Sequence, residues 1–475
     1  MSTYNPPTLL QLALEGVLRK ESIDFSDLEY LPITLFPPLF KEAFSGGRAE
    51  IVKAMVAAWP FPCLPVGALL KTAGVEMLQA VLDGIDILLT QNVSLRCKLQ
   101  VLDLRFLHQD FWTGKQNAVC STDILIKKQV PEGLPNYPLR QCLQVVTNLA
   151  IASSLNKHQI CLLQWAQQRK DSLQLCCLKM MIYDLPTEII NEVLNTFQPT
   201  YIVDLEIHTR EVLSFLGFFT HFLGQMRNLV IFYLNQIHFY FSAVNTVTDG
   251  KMCAAKFFSQ FSKLNHLQHV YVNGAYISYD NMKKLFRCLK SPLESLFVLF
   301  CRLSMSDLRH MSDCQRLYQL KHLCLKGVVF SKSYFKSLRI LLENVSETLE
   351  TLALEHCRMK DSHLQVLLPA LSQCSQLSWV NFYDNHFSSS VLKDLLRCMA
   401  NLSKLVVERY PVPVDCYNDA GEVVVERFFQ LCPELVDILT AKRQPKKIIF
   451  ATVHCPRCLR RSVYGVNTRL CRCWR

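Results

Sequence analysis

Glycine is scarce in this sequence, at 15 of 475 residues. Neither GxGxxG nor GxxxxGK[ST] occurs, so the Gly-rich cradles that hold dinucleotides and nucleotide phosphates are not expected. HExxH and GxSxG are missing too, and no pair of carboxylates stands out. Cysteine and histidine are too numerous to nominate a catalytic pair. The chain is therefore not expected to be an enzyme. The opening stretch MSTYNPPTLLQLALEG has no basic leader and no cleavage-like site, so a secretory signal is not expected. The uncharged run Ala54 to Leu70 is broken by Pro60, Pro62 and Pro65. A membrane helix wants about 20 apolar residues without such breaks, so this run reads as a buried bend. The 21 cysteines then belong to a reducing interior, most of them as small buried hydrophobes. A cytoplasmic location follows, with nuclear entry left open.

Acidic residues are absent from the last stretch. Ala441 to Arg475 carries ten Lys or Arg and no Asp or Glu, leaving 41 basic against 40 acidic residues in the rest. The body is near neutral and the tail is basic, unlike the spread-out basic face of a dedicated nucleic-acid binder. Contact of the tail with nucleic acid or acidic partners is one reading, and a solvated end is the other.

What the chain has is a repeat. The pattern L-x-x-L-x-L runs through Leu267-Val270-Val272, Leu293-Leu296-Val298, Leu320-Leu323-Leu325, Leu349-Leu352-Leu354, Leu377-Val380-Phe382 and Leu402-Leu405-Val407. The starts are 26, 27, 29, 28 and 25 residues apart. That is the spacing of leucine-rich repeats with a helix in each unit. Weaker copies begin at Leu173, Ile202 and Leu229, with an insertion expected around Asn235 to Gly250. An isolated copy sits at Leu99-Leu102-Leu104. One unit cannot bury its apolar faces alone, so the units must stack into a parallel sheet lined by helices. Asn385 and Cys357 follow the last aliphatic position by three, where a side chain can bond the turn's backbone.

If the strands line a concave face, the residues between the aliphatic positions are exposed there. They include His269, Tyr271, His322, Lys326, Thr351, Glu355, Trp379, Asn381, Tyr383 and Lys404. Tyr and Trp on a rigid sheet are usual anchors of protein interfaces, and cover by loops is the competing reading. Three LxxLL segments, at 338–342, 364–368 and 392–396, fall in the repeat helices, so their leucines are expected in the core.

Ahead of the array, Thr8 and Gln11 form a capping box for a helix in which Leu9, Ala13 and Val17 share a face. This matches a degenerate elongin-binding box, with Ala13 where Cys is usual. Leu31, Pro32, Leu35 and Leu39 then fit the spacing of a cullin box. Helices that merely cap the hydrophobic end of the array would read the same way.

In the tail, Cys455-Pro-Arg-Cys458 and Cys471-Arg-Cys473 supply four thiols, with His454 as a spare ligand. A structural zinc site, four buried or reactive thiols, and a disulfide are all open. Arg457, Arg460, Arg461, Arg469 and Arg472 would offset the charge of a zinc tetrathiolate. No cofactor is certain.

Several segments together resemble the PRAME family of leucine-rich-repeat proteins. They are LEYLPITLFPPLFKEAFSGGRAEIVKAMVAAWPFPCLPVGALLK, KLQVLDLR, HQDFW, LLPALSQCSQLSWVNFYDN, YPVPVDCY and the terminal HCPRC and LCRCW. The resemblance spans about Leu9 to Trp474, and the branch looks like the oogenesin and PRAME-like proteins. It implies an α/β ribonuclease-inhibitor-like horseshoe. It also implies a substrate receptor for a cullin–RING ubiquitin ligase, joined through elongins B and C. Roles in germline or embryo, transcriptional repression, and restraint of apoptosis and differentiation come with it. Some relatives carry a Lys/Arg-rich nuclear signal after HQDFW, whereas ILIKKQVPEG here offers only Lys127 and Lys128. The expected layout is a helical cap at 1–95, a first repeat with an irregular insertion at 96–170, the array at 171–410, and a C-terminal cap with the Cys-containing tail at 411–475.

Overall fold

A computed structural model describes residues 8–20, 23, 25–90, 97–107, 112, 143–152, 155–210, 212–236, 247–274, 281–330, 334–455, 457–465 and 468–474. The chain divides into two compact units, Met1–Val203 and Asp204–Arg475. The division falls inside the stretch expected as one continuous array. The segment ILIKKQVPEG, most of HQDFW and residues 237–246 of the expected insertion lie outside the described residues.

The first unit opens with helices. α1 (Leu9–Leu18) starts at a capping box: Thr8 Oγ1 accepts from Gln11 N at 3.2 Å, and Gln11 Oε1 accepts from Thr8 N at 2.7 Å. α2 (Phe25–Tyr30) follows, then a 3-10 turn (Ile33–Leu35), α3 (Phe36–Ser45) and α4 (Ala49–Ala57). An aromatic cluster holds them. The Phe40 ring lies 5.3 Å from Trp59 and 5.5 Å from Trp112, and the Trp112 indole N–H donates to the Pro65 carbonyl at 2.8 Å. The bend at Ala54 to Leu70 is buried except for Phe61, Pro62 and Ala68 to Leu70, which are half-buried, and it also contains a strand. β1 (Cys63–Pro65) pairs in parallel with β2 (Val101–Asp103), which pairs with β3 (Gln144–Ile151), which pairs with β4 (Gln174–Tyr183). On the face opposite Leu64, Leu102, Val145 and Leu175, the residues Cys63, Val101, Val146 and Cys176 pack together, with Leu178 and Tyr201 against them.

The second unit repeats one motif. β5 (Asp204–Thr209), β6 (Ile231–Gln236), β7 (His269–Asn273), β8 (Ser295–Leu299), β9 (His322–Cys324), β10 (Thr351–Ala353), β11 (Trp379–Asn381), β12 (Val407–Pro411) and β13 (Lys447–Ala451) pair in parallel, each with the next. β14 (Val463–Gly465) closes the edge antiparallel to β13. The aliphatic spine is buried in the first five strong copies, from Leu267-Val270-Val272 to Leu377-Val380-Phe382. The LxxLL segments lie in the helices Tyr334–Asn344, Asp361–Leu371 and Ser389–Met399. Their leucines are buried except Leu368, which is half-buried.

The sixth copy is framed differently from the sequence pattern. Val380 pairs with Glu408, and Trp379 with Val407. The unit therefore starts at Leu405, 28 residues after Leu377, and the inward positions are Leu405, Glu408 and Tyr410. Val407 turns to the other face, and Lys404 precedes the strand. A carboxylate at an aliphatic position hid the true frame. Glu408 is fully buried, and it is matched by Arg443 at 2.7 Å and the Tyr410 hydroxyl at 2.7 Å.

Four turns after strands share a backbone device, and three of them add a side-chain one. Seven residues past the first Leu, the backbone enters positive φ: Phe300 at 50°, Gly327 at 71°, His356 at 59° and Asp384 at 57°. One residue later, in all but the Gly327 turn, a side chain reaches back to the previous unit. Asn385 Nδ2 donates to Leu354 O at 2.7 Å, Cys357 Sγ to Leu325 O at 3.0 Å, and Cys301 Sγ to Gly274 O at 3.4 Å. These bonds satisfy carbonyls that leave the sheet at the bend.

Candidate functional site

Between the buried positions, the strands of the second unit turn every other residue to the face the helices leave open. Of the expected face residues, His269, Tyr271, His322, Lys326, Thr351, Glu355, Trp379 and Tyr383 are all half-buried. They lie at the edge of solvent, where a partner could reach them. Asn381 departs from that expectation. It is buried, donates to Glu355 Oε2 at 2.8 Å and accepts from Tyr383 N at 3.0 Å, so it positions its neighbours instead of facing a ligand.

The pairing register organises this face in rows. Tyr233, Tyr271 and Phe297 stand on successive strands in one row. Their rings are 5.8 and 4.5 Å apart, and His208 lies 5.4 Å from Tyr233. Tyr233 and Phe297 were missed in the sequence. Tyr233 stands in a weak copy, and Phe297 occupies the same place in its repeat as Tyr271. Burial lowers the pKa of His269, whose Nδ1 lies 2.8 Å from Ser295 Oγ, and raises that of Tyr271.

Towards the later repeats the face becomes charged and internally paired. Lys326 Nζ sits 3.0 Å from Glu355 Oε1 and 5.9 Å above the Phe300 ring. The Arg409 guanidinium lies 5.4 Å over Trp379. Arg461, from beyond β13, stacks 5.2 Å over Tyr383 and donates to Asp384 Oδ1 at 2.6 Å and Oδ2 at 2.5 Å. Burial pushes the Tyr383 hydroxyl up to about 12. Arg461 was expected to offset a thiolate cluster, and it is committed to Asp384 instead.

In the first unit, Leu9 is 87% exposed, Ala13 is exposed and Val17 is half-buried. The helix anchors through Leu14 and turns Leu9, Leu10 and Leu12 outward. Pro32 is exposed, and Leu31 and Leu35 are half-buried. Leu39 was expected to be presented together with Leu35. It is 1% exposed and belongs to the core around Phe36 and Phe40.

The four tail cysteines do come together. The Sγ atoms of Cys455, Cys458, Cys471 and Cys473 all lie within 4.8 Å of one another, a group that could hold a metal ion. Cys455 and Cys471 are buried, and Cys458 and Cys473 are half-buried. Burial pushes the Cys455 thiol up. The N–H groups of Cys458 and Arg457 and the neighbouring thiols outweigh it and hold the group at about 7. His454 is exposed, and its Nε2 accepts from Arg461 Nε at 3.2 Å.

The PRAME N-terminal domain matches residues 6–112, and the PRAME C-terminal domain matches residues 143–473. The chain belongs to the PRAME family. It is 41% identical over 474 residues to PRAME family member 12 of Homo sapiens, covering 99% of this chain and 98% of that one. Oogenesin-3 of Mus musculus is 40% identical over 477 residues, with 99% and 94% covered. PRAME family member 8 of Homo sapiens is 40% identical over 476 residues, with both chains fully covered. In PRAME terms, the exposed helix and the aromatic cluster fall in the N-terminal domain. The open sheet face and the cysteine cluster fall in the C-terminal one. Among the described residues no helix is long and apolar enough to cross a membrane.

Proposed function

We propose that this PRAME-family chain is a substrate-recognition adaptor of a cullin–RING ubiquitin ligase. α1 docks on elongin C of the elongin B/C pair through Leu9, Ala13 and Val17. The segment Leu31, Pro32 and Leu35 meets the cullin, with Leu39 supporting it from the core. The open face, centred on Tyr271 and the Trp379–Tyr383 region, holds the protein that is ubiquitinated and then degraded by the proteasome. The chain supplies proximity and orientation and no reacting group of its own. Transcriptional repression and control of apoptosis, proliferation and differentiation in germ cells or embryo would follow from which target is removed. The working location is the cytoplasm, with nuclear entry open.

The observation that carries this reading is the N-terminal helix. Leu9, Leu10 and Leu12 are held outward on a helix whose own contacts run through Leu14. Three exposed leucines on one short capped helix are the kind of surface that a partner's groove covers. The test is co-purification of the full chain with elongins B and C. Leu9→Asp should abolish recovery of the elongins, and Leu35→Asp should reduce recovery of the cullin. Recovery unchanged by both variants would overturn the ligase reading.

One observation favours a second reading, a ligase-independent scaffold or repressor. Leu39 serves the chain's own core, as expected of a helix that only caps the array. On that reading, target binding survives deletion of residues 1–40.

A further inference from the structure

We infer that Cys455, Cys458, Cys471 and Cys473 bind one zinc ion as a closed tetrathiolate. The same site holds Arg461 on the tip of a repeat strand, so zinc shapes the charged end of the open face.

The geometry favours one ion over the alternatives. A zinc ion about 2.3 Å from each of four sulfurs sets them about 3.8 Å apart. The four Sγ atoms, all within 4.8 Å of one another, already surround a volume of that size. Iron–sulfur clusters interpose several metal atoms and spread the thiolates wider. A disulfide needs sulfurs about 2.05 Å apart, and Cys458 and Cys471 stand at 3.2 Å. A purely hydrophobic thiol cluster would account for the buried pair, Cys455 and Cys471, but leaves two half-exposed thiols converging without a cause.

The backbone is built for the four positions. Leu459 N donates to Cys455 O at 2.9 Å, and Cys455 N to Arg460 O at 2.8 Å, closing a tight loop with Leu459 at φ 57°. Ser462 Oγ accepts from Cys471 N at 2.9 Å, and Val463 and Arg469 exchange two backbone bonds. Metal capture releases the thiol protons to solvent and leaves a net charge of −2 on the tetrathiolate. Arg457, Arg460, Arg469 and Arg472 stand in the same two loops, and no acidic residue does.

The link to the face runs through Arg461, three residues after Cys458. Besides Asp384 it donates to Thr452 O at 2.8 Å. With the loop fixed at Cys455 and Cys458, the guanidinium is held over Tyr383 and neutralises Asp384. With the loop loose, Asp384 loses its guanidinium partner, while Glu355 keeps Lys326 at 3.0 Å.

Metal analysis of the full chain, purified under reducing conditions without chelator, tests the site. One zinc per chain is expected, and loading with cobalt should give the visible bands of a tetrahedral thiolate. The Cys458→Ser, Cys473→Ser double variant should lose the metal, while Cys398→Ser, outside the cluster, should keep it. Hydrogen exchange with and without chelator reads the latch, and faster exchange is expected both at 452–463 and at 383–386. Four alkylatable thiols with no metal, a disulfide in the purified chain, iron in place of zinc, or zinc retained by the double variant would each overturn the site. Unchanged exchange at 383–386 on metal removal would overturn the latch. None of these measurements needs a ligase partner, so their failure is distinct from failure of the adaptor reading.

Discussion

Asn385 reaches back one repeat, and its side-chain amide donates to the carbonyl of Leu354 at 2.7 Å. The same amide donates to Phe382 O at 2.9 Å, and its oxygen accepts from Met359 N at 3.0 Å. Three buried backbone groups from two repeats converge on one side chain. Asn385→Ala leaves them unsatisfied and should destabilise the second unit by about 2–4 kcal/mol, since each orphaned buried group costs about 1–3 kcal/mol and relaxation recovers part of it. The urea midpoint should fall with the slope unchanged. Cys357→Ala removes only a weak sulfur donor and should cost less.

Gly327 is the one glycine among the four turns that use φ between 50° and 71°. A Cβ there would stand 2.4 Å from Phe300 Cδ1, the ring that holds the matching position one repeat earlier. Gly327→Ala should therefore lose about 1–3 kcal/mol through the strained conformation and the clash. Adding Phe300→Ala should return the steric part. A thermal-unfolding double-mutant cycle checks this, and strictly additive losses would count against the clash.

The leucine spine was legible because burial of aliphatic side chains at fixed spacing leaves a pattern on the page. Asn385 and Cys357 were legible for the same reason, since their hydrogen bonds recur at a fixed offset. Residues that break the pattern were not. Glu408 stands at a leucine position, so Leu402 was mistaken for the start of the sixth unit. Pro62 and Pro65 concealed β1, because proline argues against a strand unless it sits at an edge. Leu39 matched its box by spacing, but spacing does not say which side of a helix the core takes. Arg461 looked like one cation among many, and only the fold brings it to Asp384, 77 residues earlier.

Leu9 and Leu39 should respond oppositely to a charge. Leu9→Asp places a carboxylate in water and should change the melting temperature by less than about 2 °C, as exposed substitutions usually stay within about 0.5 kcal/mol. Leu39→Asp buries one beside Phe36 and Phe40 and should leave the first unit unable to fold. Circular dichroism melts separate the two. Loss of elongin binding by Leu9→Asp is therefore interpretable as a contact, and loss by Leu39→Asp is not.

Stability should fall in alkali. Burial pushes the thiols of Cys177, Cys374 and Cys432 up from 9.0 to about 12. In the unfolded chain these groups ionise near 9, and in the fold they stay neutral three units longer. Their contribution is intact below pH 9 and is lost as pH rises towards 12. The loss is about 1.4 kcal/mol per pH unit for each thiol while only the unfolded form ionises. Urea titrations at pH 7.5 and 10 under reductant should show the drop. Cys374→Ala should make it shallower.

Leu296 and Phe297 are neighbours on β8 that face opposite ways, and the whole assignment of an open face depends on that alternation. Leu296 is fully buried against the helices, so Leu296→Ala should cost about 2–5 kcal/mol. Phe297 is the larger residue, but it is half-buried and packs mainly on Tyr271, at 4.5 Å. Phe297→Ala should cost only about 0.5–1.5 kcal/mol, the worth of one aromatic pair. Were Phe297 a core residue, the order would reverse, because truncating a buried Phe costs about 3–5 kcal/mol. Chemical denaturation of the two variants side by side decides which face the helices cover.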